Sequence, residues 1–281
     1  MKNPVFIGII FALIVSFYSP VQTVALGFDI EKEVRVPVLM YHFLATDNNR
    51  PNPWKIRVEA FESDLIALRR EGFRPVFMQE LIDYVYGGAA LPERPVVISF
   101  DDGAYDFYKH GFPLLKKHDM KAVMAIIGFA TDKYSEDTEQ NKYAVSNLKW
   151  EHVRELRDSG LVEIQSHSYD MHKGTGAAKN KGESLDSYRA RFGKDAERFN
   201  EQILAQLGSL PTTFIFPFGN KSKESDDILR EIGFLSSLTC EERISVIKKG
   251  EPDSLFGLGR ILRAPSMSSE DLIAKIRDLE K

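Results

Sequence analysis

Five side chains in this sequence have the types to hold a divalent cation and move protons beside it: His42, the adjacent Asp101 and Asp102, His167 and His172. Two imidazoles and one carboxylate leave coordination positions open for water and substrate, as a hydrolytic metal site requires. A second carboxylate beside the first can then act as base. Neutral imidazole suits Zn2+, and the same donors also serve Co2+, Ni2+ or Fe2+. Spacing limits how these residues can meet. His167 and His172 are five apart, which on a regular helix sets them about 140° round the axis from each other. An irregular turn must therefore bring them together. On a continuing strand Asp101 and Asp102 would point to opposite faces, but Gly103 lets the backbone turn so that both enter one site. A cation between them offsets their repulsion and keeps both ionised. Asp-Asp-Gly alone reads as a turn; the histidine pair downstream makes it a candidate site.

The elements that must position these residues are short β-branched runs alternating with amphipathic stretches. "VPVLMYH", "RPVVISF", "KAVMAII", "LVEIQSH" and "TTFIFPFG" read as strands, apolar on both faces as in a parallel sheet covered by helices. Between them, "AFESDLIALRREGF" carries Phe61, Leu65 and Leu68 at helical spacing, and "SNLKWEHVRELRDSG" has Ser146 as an N-cap candidate and Gly160 as a stop. The stretch "DSYRARFGKDAERFNEQILAQLG" is a long helix weakened at Gly193. The pattern predicts an α/β fold, a deformed or incomplete (β/α) barrel with a parallel strand core. Two polar stretches, from Asp132 to Val145 and from Lys173 to Asp186, are expected as loops over the barrel mouth. In such a barrel all strand C-termini open on one face, so "MYH", "SFDDG", "QSHSYDMH" and "FPFG" converge there.

With 281 residues, 43% hydrophobic and 28% charged, the chain can build a large core. A formal net charge of −4 and no long basic block give nucleic acid no footing. Cys240 is the sole cysteine, so no intramolecular disulfide forms, and it reads as a small buried hydrophobe. Lys2, the apolar run Val5 to Phe17 and the small-residue exit Thr23-Val24-Ala25 mark residues 1–25 as a signal peptide or N-terminal anchor. The chain is therefore expected to be secreted or envelope-associated, with 26–281 as one catalytic domain and no other membrane segment. His110, His118 and His152 fall on helical stretches and read as surface residues.

Taken together, "PVLMYHFL", "SFDDG", "SHSYDMH" and "FPFG" resemble the polysaccharide deacetylase family, the carbohydrate esterases (family 4) with a NodB-type domain. The resemblance covers about Val36 to Leu279. It implies a deformed (β/α) barrel and metal-dependent hydrolysis of N-acetyl groups on an N-acetylglucosamine polymer: peptidoglycan, chitin oligomers or poly-N-acetylglucosamine. Residue by residue it implies Asp101 as general base and Asp102, His167 and His172 as metal ligands. Three departures matter. Four residues separate the metal histidines instead of the commoner three, as in the branch that deacetylates poly-N-acetylglucosamine. The third motif lacks its usual arginine, and no late Leu-x-His follows "LGRILRAPSMS". In that branch the acid resembles a histidine of the early strand motif, which points to His42. Arg260 is a candidate for orienting substrate or base. Tyr41, Trp54, Tyr169 and Phe218 are candidates for stacking on sugar rings, and Pro217 and Phe218 for lining the site with oxyanion-binding N–H groups nearby. Other readings are a non-catalytic carbohydrate-binding barrel, an O-acetyl esterase acting on xylan, and a glycoside hydrolase, which would need two separated acids and no histidine pair.

Overall fold

The computed structural model of the chain describes residues 32–46, 52–136 and 146–281. The expected leader and residues 137–145 lie outside the described residues. The centre is a parallel sheet of eight strands: β1 (Val38–Tyr41), β2 (Arg74–Pro75), β3 (Pro95–Phe100), β4 (Ala122–Ile126), β5 (Val162–Ser166), β6 (Thr213–Ile215), β7 (Ser236–Leu238) and β8 (Ile261–Leu262). Around it pack helices α1 (Val58–Arg70), α2 (Met78–Gly87), α3 (Phe112–His118), α4 (Gly128–Glu136), α5 (Trp150–Asp158), α6 (Leu185–Leu207), α7 (Ser225–Ile232) and α8 (Ser269–Leu279). Every residue of β1, β3 and β4 is buried, the result of helices on one face and a filled interior on the other.

The deformation of the barrel is local and traceable. A regular barrel would set β2 between β1 and β3. Here β1 pairs directly with β3, from Val38 with Val97 to Tyr41 with Phe100, and β2 reaches only Pro95 and Val96. The sheet order is β7-β6-β5-β4-β3-β1-β8, and one isolated bridge, Leu238 with Leu258, joins its two edges. Pro75 ends β2 early, because a proline has no N–H to extend a ladder.

A buried polar cluster pins the early and late strands together. Asp64 on α1 accepts from Arg263 Nε at 2.8 Å, Ser269 Oγ at 2.7 Å and the Tyr41 hydroxyl at 3.2 Å. Asp64 and Arg263 are both buried. With every partner satisfied, the cluster fixes β1 against the segment after β8. It thereby sets the ends of those two strands, His42 and Arg260, in a common frame.

Three local expectations are corrected. Ser146 does not cap α5, whose N-cap is Lys149, with His152 Nδ1 accepting the Lys149 N–H at 3.1 Å. Ser146 instead lends its carbonyl to the Tyr105 N–H, and Asn147 bridges to Ala104, so this segment serves the turn after β3. Residues 132–136, expected in a loop, complete α4, where the Trp150 indole N–H donates to Asp132. The expected surface histidines are also partly buried. His118 pairs with Glu62 at 2.9 Å, and His152 is the cap just described.

Glu163 on β5 couples stability to pH. Its carboxylate accepts the Met78 and Gln79 N–H groups at the start of α2, and burial pushes its pKa up to about 7. A carboxyl raised in the folded state is protonated there while the unfolded chain ionises, so stability falls as pH rises from the ordinary value of 4.5 towards 7. The loss is about 2 kcal/mol, allowing for partial exposure. Thermal melts at pH 5 and pH 8 check this: Glu163→Gln is expected to flatten the decline, and an unchanged slope would assign it to other groups.

Candidate active site

β3 ends at Phe100, and the next two residues turn both carboxylates towards the barrel mouth. Asp101 continues the ladder, its N–H on the Tyr41 carbonyl at 3.0 Å. The turn begins at Asp102 itself, with φ 70°, and Gly103 follows with φ 70°. A non-glycine residue in that region is uncommon, and aspartate is one of the few that tolerate it. Asn147 Nδ2 holds it by donating to the Asp102 carbonyl at 2.5 Å.

The second half of the site comes from the turn after β5. His167 follows the strand, its N–H on the Ile126 carbonyl, and Ser168 reverses the chain with φ 70°. Asp195 on α6 then accepts the Tyr169 and Asp170 N–H groups, both at 2.8 Å, and Met171 N–H donates to Ser168 Oγ. This clamped turn swings His172 back to His167, ring centres 5.1 Å apart. The five-residue spacing is thus spent on a turn and not on a helix.

Asp102 Oδ1 lies 3.5 Å from His167 Nε2 and 3.2 Å from His172 Nε2. It is buried and no hydrogen bond satisfies it. His167 Nδ1 faces the Ile215 carbonyl at 2.9 Å, and since a carbonyl only accepts, Nδ1 carries the proton and Nε2 presents a lone pair. The three donor atoms lie within 4.8 Å of one another. An orphaned carboxylate oxygen facing two imidazole nitrogens, one in the ligating tautomer, is the donor set that a divalent ion of the zinc type takes.

Asp101 stands beside this triad in a different environment. Arg260 Nη1 donates to its Oδ1 at 2.7 Å, and both residues are buried. Burial opposes ionisation, but the Arg260 guanidinium with His167 and His42 outweighs it and holds the carboxyl well below the usual range. Asp102 is likewise lowered against its burial, chiefly by His167. The free oxygen of Asp101, Oδ2, lies 3.9 Å from His42 Nε2. His42 Nδ1 is buried without a partner, and burial holds this imidazole below its usual value despite Asp101 and Asp102.

The stacking candidates divide. Trp54 is 42% exposed with its ring 4.8 Å from His42, and Phe218 is 48% exposed with its ring 4.4 Å from His172. They flank the site from opposite sides. Phe218 holds φ 59° after the buried Pro217, and Gly219 follows at φ 71° with Cys240 packed where a Cβ would sit. Tyr41 is not a sugar platform: it points away from His42 into the core, stacked on Phe100, because successive strand residues face opposite sides. Tyr169 is also buried, its hydroxyl on Asp132 at 2.9 Å. Arg260 is wholly buried and holds Asp101 and the Thr239 carbonyl, so it orients Asp101 and is not exposed for a sugar to reach. Asp195 and Asn147 position the two turns and were missed from sequence. Nothing local marks either, since each acts on a segment 25 or more residues away.

Comparison with known proteins gives the family and the fold. The polysaccharide deacetylase family model matches residues 88–236, and the chain belongs to that family. A poly-beta-1,6-N-acetyl-D-glucosamine N-deacetylase of Escherichia coli K12 is 26% identical over 245 residues, covering 79% of this chain and 35% of the relative. Its namesake from Staphylococcus aureus MRSA252 is 24% identical over 190 residues, covering 68% and 62%. The chain thus spans about a third of the first relative's length. Among solved structures, a de-N-acetylase from Aggregatibacter actinomycetemcomitans superposes with a TM-score of 0.73 at 26% identity, covering 86% of this chain and all of that one. IcaB from Ammonifex degensii gives 0.69 at 28%, covering 86% and 96%. These likenesses agree with the curled, incomplete barrel.

Proposed function

We propose that this chain is a metal-dependent N-deacetylase that removes acetyl groups from an N-acetylglucosamine polysaccharide, with poly-N-acetylglucosamine the substrate its relatives' names favour. The observation that carries this reading is the convergence of the Asp102, His167 and His172 donor atoms beside an ionised, arginine-held Asp101. Asp102, His167 and His172 hold the metal, zinc by donor preference. When bound, the ion supplies Lewis acidity towards the attacking water and the amide carbonyl. The chain's own residues do the rest. Asp101 Oδ2 takes the proton of the attacking water. His42, neutral at the start, lies 3.9 Å from that oxygen, receives the proton and delivers it to the leaving nitrogen. An amide nitrogen leaves poorly as an anion, so this delivery is obligatory. We assign the oxyanion donor to the Phe218 N–H, at the start of a short turn that gives it no partner within the turn.

Trp54 and Phe218 bracket the two ends of this array and seat neighbouring sugar rings. Trp54→Ala or Phe218→Ala is expected to raise KM about fivefold with little change in kcat, the value of one aromatic face. Steady-state kinetics on oligomers of different length check it, and a fall in kcat alone would remove the stacking role.

The leader-like residues 1–25 support export, and among the described residues no helix is long and apolar enough to cross a membrane. Acetate release by the chain from Leu26 onward, with oligomers of N-acetylglucosamine, peptidoglycan and acetylated xylan side by side, tests the reading. Release from the N-acetylated polymers that stops on chelation and returns with Zn2+ is expected. Release from xylan alone would replace an amidase with an esterase, and metal uptake without acetate from any polymer would leave a binding barrel.

A further inference from the structure

A separate cavity of about 430 Å3 opens between α6 and the turn that carries His167 and His172. Its wall on one side is that turn, from Tyr169 to Gly176, and on the other Arg191, Lys194, Asp195 and Arg198 of α6. The charge there runs against the chain's overall −4. Both carboxylates of the cavity are occupied: Asp195 by the Tyr169 and Asp170 N–H groups, and Asp170 by Lys173 at 2.6 Å. Arg191 is consumed by Glu183 through two contacts of 2.8 and 2.9 Å. Lys194 and Arg198 remain, and no carboxylate lies within ion-pair range of either among the described residues.

Their placement suits an incoming anion. Residues four apart on a helix are neighbours on one face, so the ammonium and the guanidinium flank the same opening. The Arg198 guanidinium lies over the Tyr169 ring at 3.9 Å. The contact fixes where the guanidinium sits, and its several N–H groups match an oxyanion. The opposite lip is formed by Gly174, Thr175 and Gly176, where the Thr175 hydroxyl donates to Asn180 Oδ1 at 2.8 Å and the Gly176 N–H to the Lys173 carbonyl, so the two cations carry the recognition.

We propose that this cavity is an oxyanion site, in which a carboxylate or phosphate group seats between the side chains of Lys194 and Arg198. Inorganic phosphate and the carboxylate of an acidic sugar share this chemistry. An occupant would touch the backbone between the two metal histidines, yet the site stands apart from the catalytic donors, and the proposal does not depend on the deacetylase reading. The test is binding and not turnover. Protein stripped of metal by chelation, so that no anion can ligate an ion, is titrated by calorimetry and by amide NMR with inorganic phosphate, with N-acetylmuramic acid and with uncharged N-acetylglucosamine. Saturable binding of at least one anion, with shifts centred on residues 169–176, is expected. Phosphate alone would name a free ion as the source, and the acidic sugar alone a glycan. The pair Lys194→Glu with Arg198→Glu should weaken binding at least tenfold, and Lys109→Glu, an exposed lysine elsewhere, should not. The milder Lys194→Met and Arg198→Met serve should the charge reversal fail to fold. No saturable binding of either anion, equal binding of the uncharged sugar, or unaltered affinity in the substituted chains would overturn the proposal.

Discussion

Asp102→Ala is expected to reduce zinc affinity by well over a hundredfold and to remove acetate release with it. Loss of a partner that merely orients a ligand already weakens metal binding by about 10–100-fold, and Asp102 is proposed as a ligand itself. The metal-free chain should be affected too. Asp102 sits at φ 70°, a region alanine tolerates less well than aspartate, and its carboxylate is held ionised against burial chiefly by His167, so its removal strains the turn and strips a favourable interaction. The variant without metal should therefore melt below the metal-free parent. Zinc should raise the melting temperature of the parent, because an ion that binds only the folded state adds RT ln(1 + [L]/Kd), and leave the variant unmoved. His167→Ala should match it in metal loss but not in stability, since it also abandons the Ile215 carbonyl inside the barrel. Zinc content by mass spectrometry and melts with and without metal decide the matter. Full zinc content in Asp102→Ala would place the metal elsewhere.

The contrast between these variants also explains which parts of the site were legible in the sequence. Strand residues announce themselves when buried on both faces: Val96 to Phe100 is apolar but for Ser99, and its strand is observed within a residue of that run. Because a parallel sheet opens every strand end on one face, His42, Asp101, Asp102 and His167 could be brought together before any coordinates existed. Side-chain direction was less accessible. Tyr41 and His42 are neighbours in sequence, and the alternation that sends His42 into the mouth sends Tyr41 into the core. Burial made the same difference to Tyr169 and Arg260. Neither the Asp195 clamp nor the Asp64–Arg263 cluster has a local signature, because each joins segments that only the closed sheet brings near. Ser146 had the right residue type for a cap, but tertiary demand for its carbonyl and for Asn147 at the catalytic turn outranked helix initiation.

The pair Asp101 and Arg260 carries the other large effect, and it separates stability from catalysis. Both side chains are buried and 2.7 Å apart. Removing one partner leaves the other charge stranded, at a cost of about 3–5 kcal/mol, whereas replacing both with neutral groups is often close to neutral. Asp101→Asn and Arg260→Met should each destabilise the chain, and the double variant should recover most of the loss. Activity should not follow. Asp101→Asn lacks a base and should lose about 10³-fold in turnover, and the double variant should stay as inactive while regaining stability. Arg260→Met keeps the base but strips away the cation that outweighs its burial, so the Asp101 carboxyl rises from well below the usual range. A base must be ionised to act, and a raised carboxyl is ionised only at higher pH. Turnover of Arg260→Met should therefore climb with pH across a range where the parent is flat. Arg260→Lys should restore part of the low-pH activity by returning a charge without the planar fork. Kinetics from pH 5 to 9, set against melts of the parent and all four variants, would read both effects. A flat profile in Arg260→Met, with stability lost, would reduce the arginine to a structural pin and leave the ionisation of Asp101 to its other neighbours, His167 and His42.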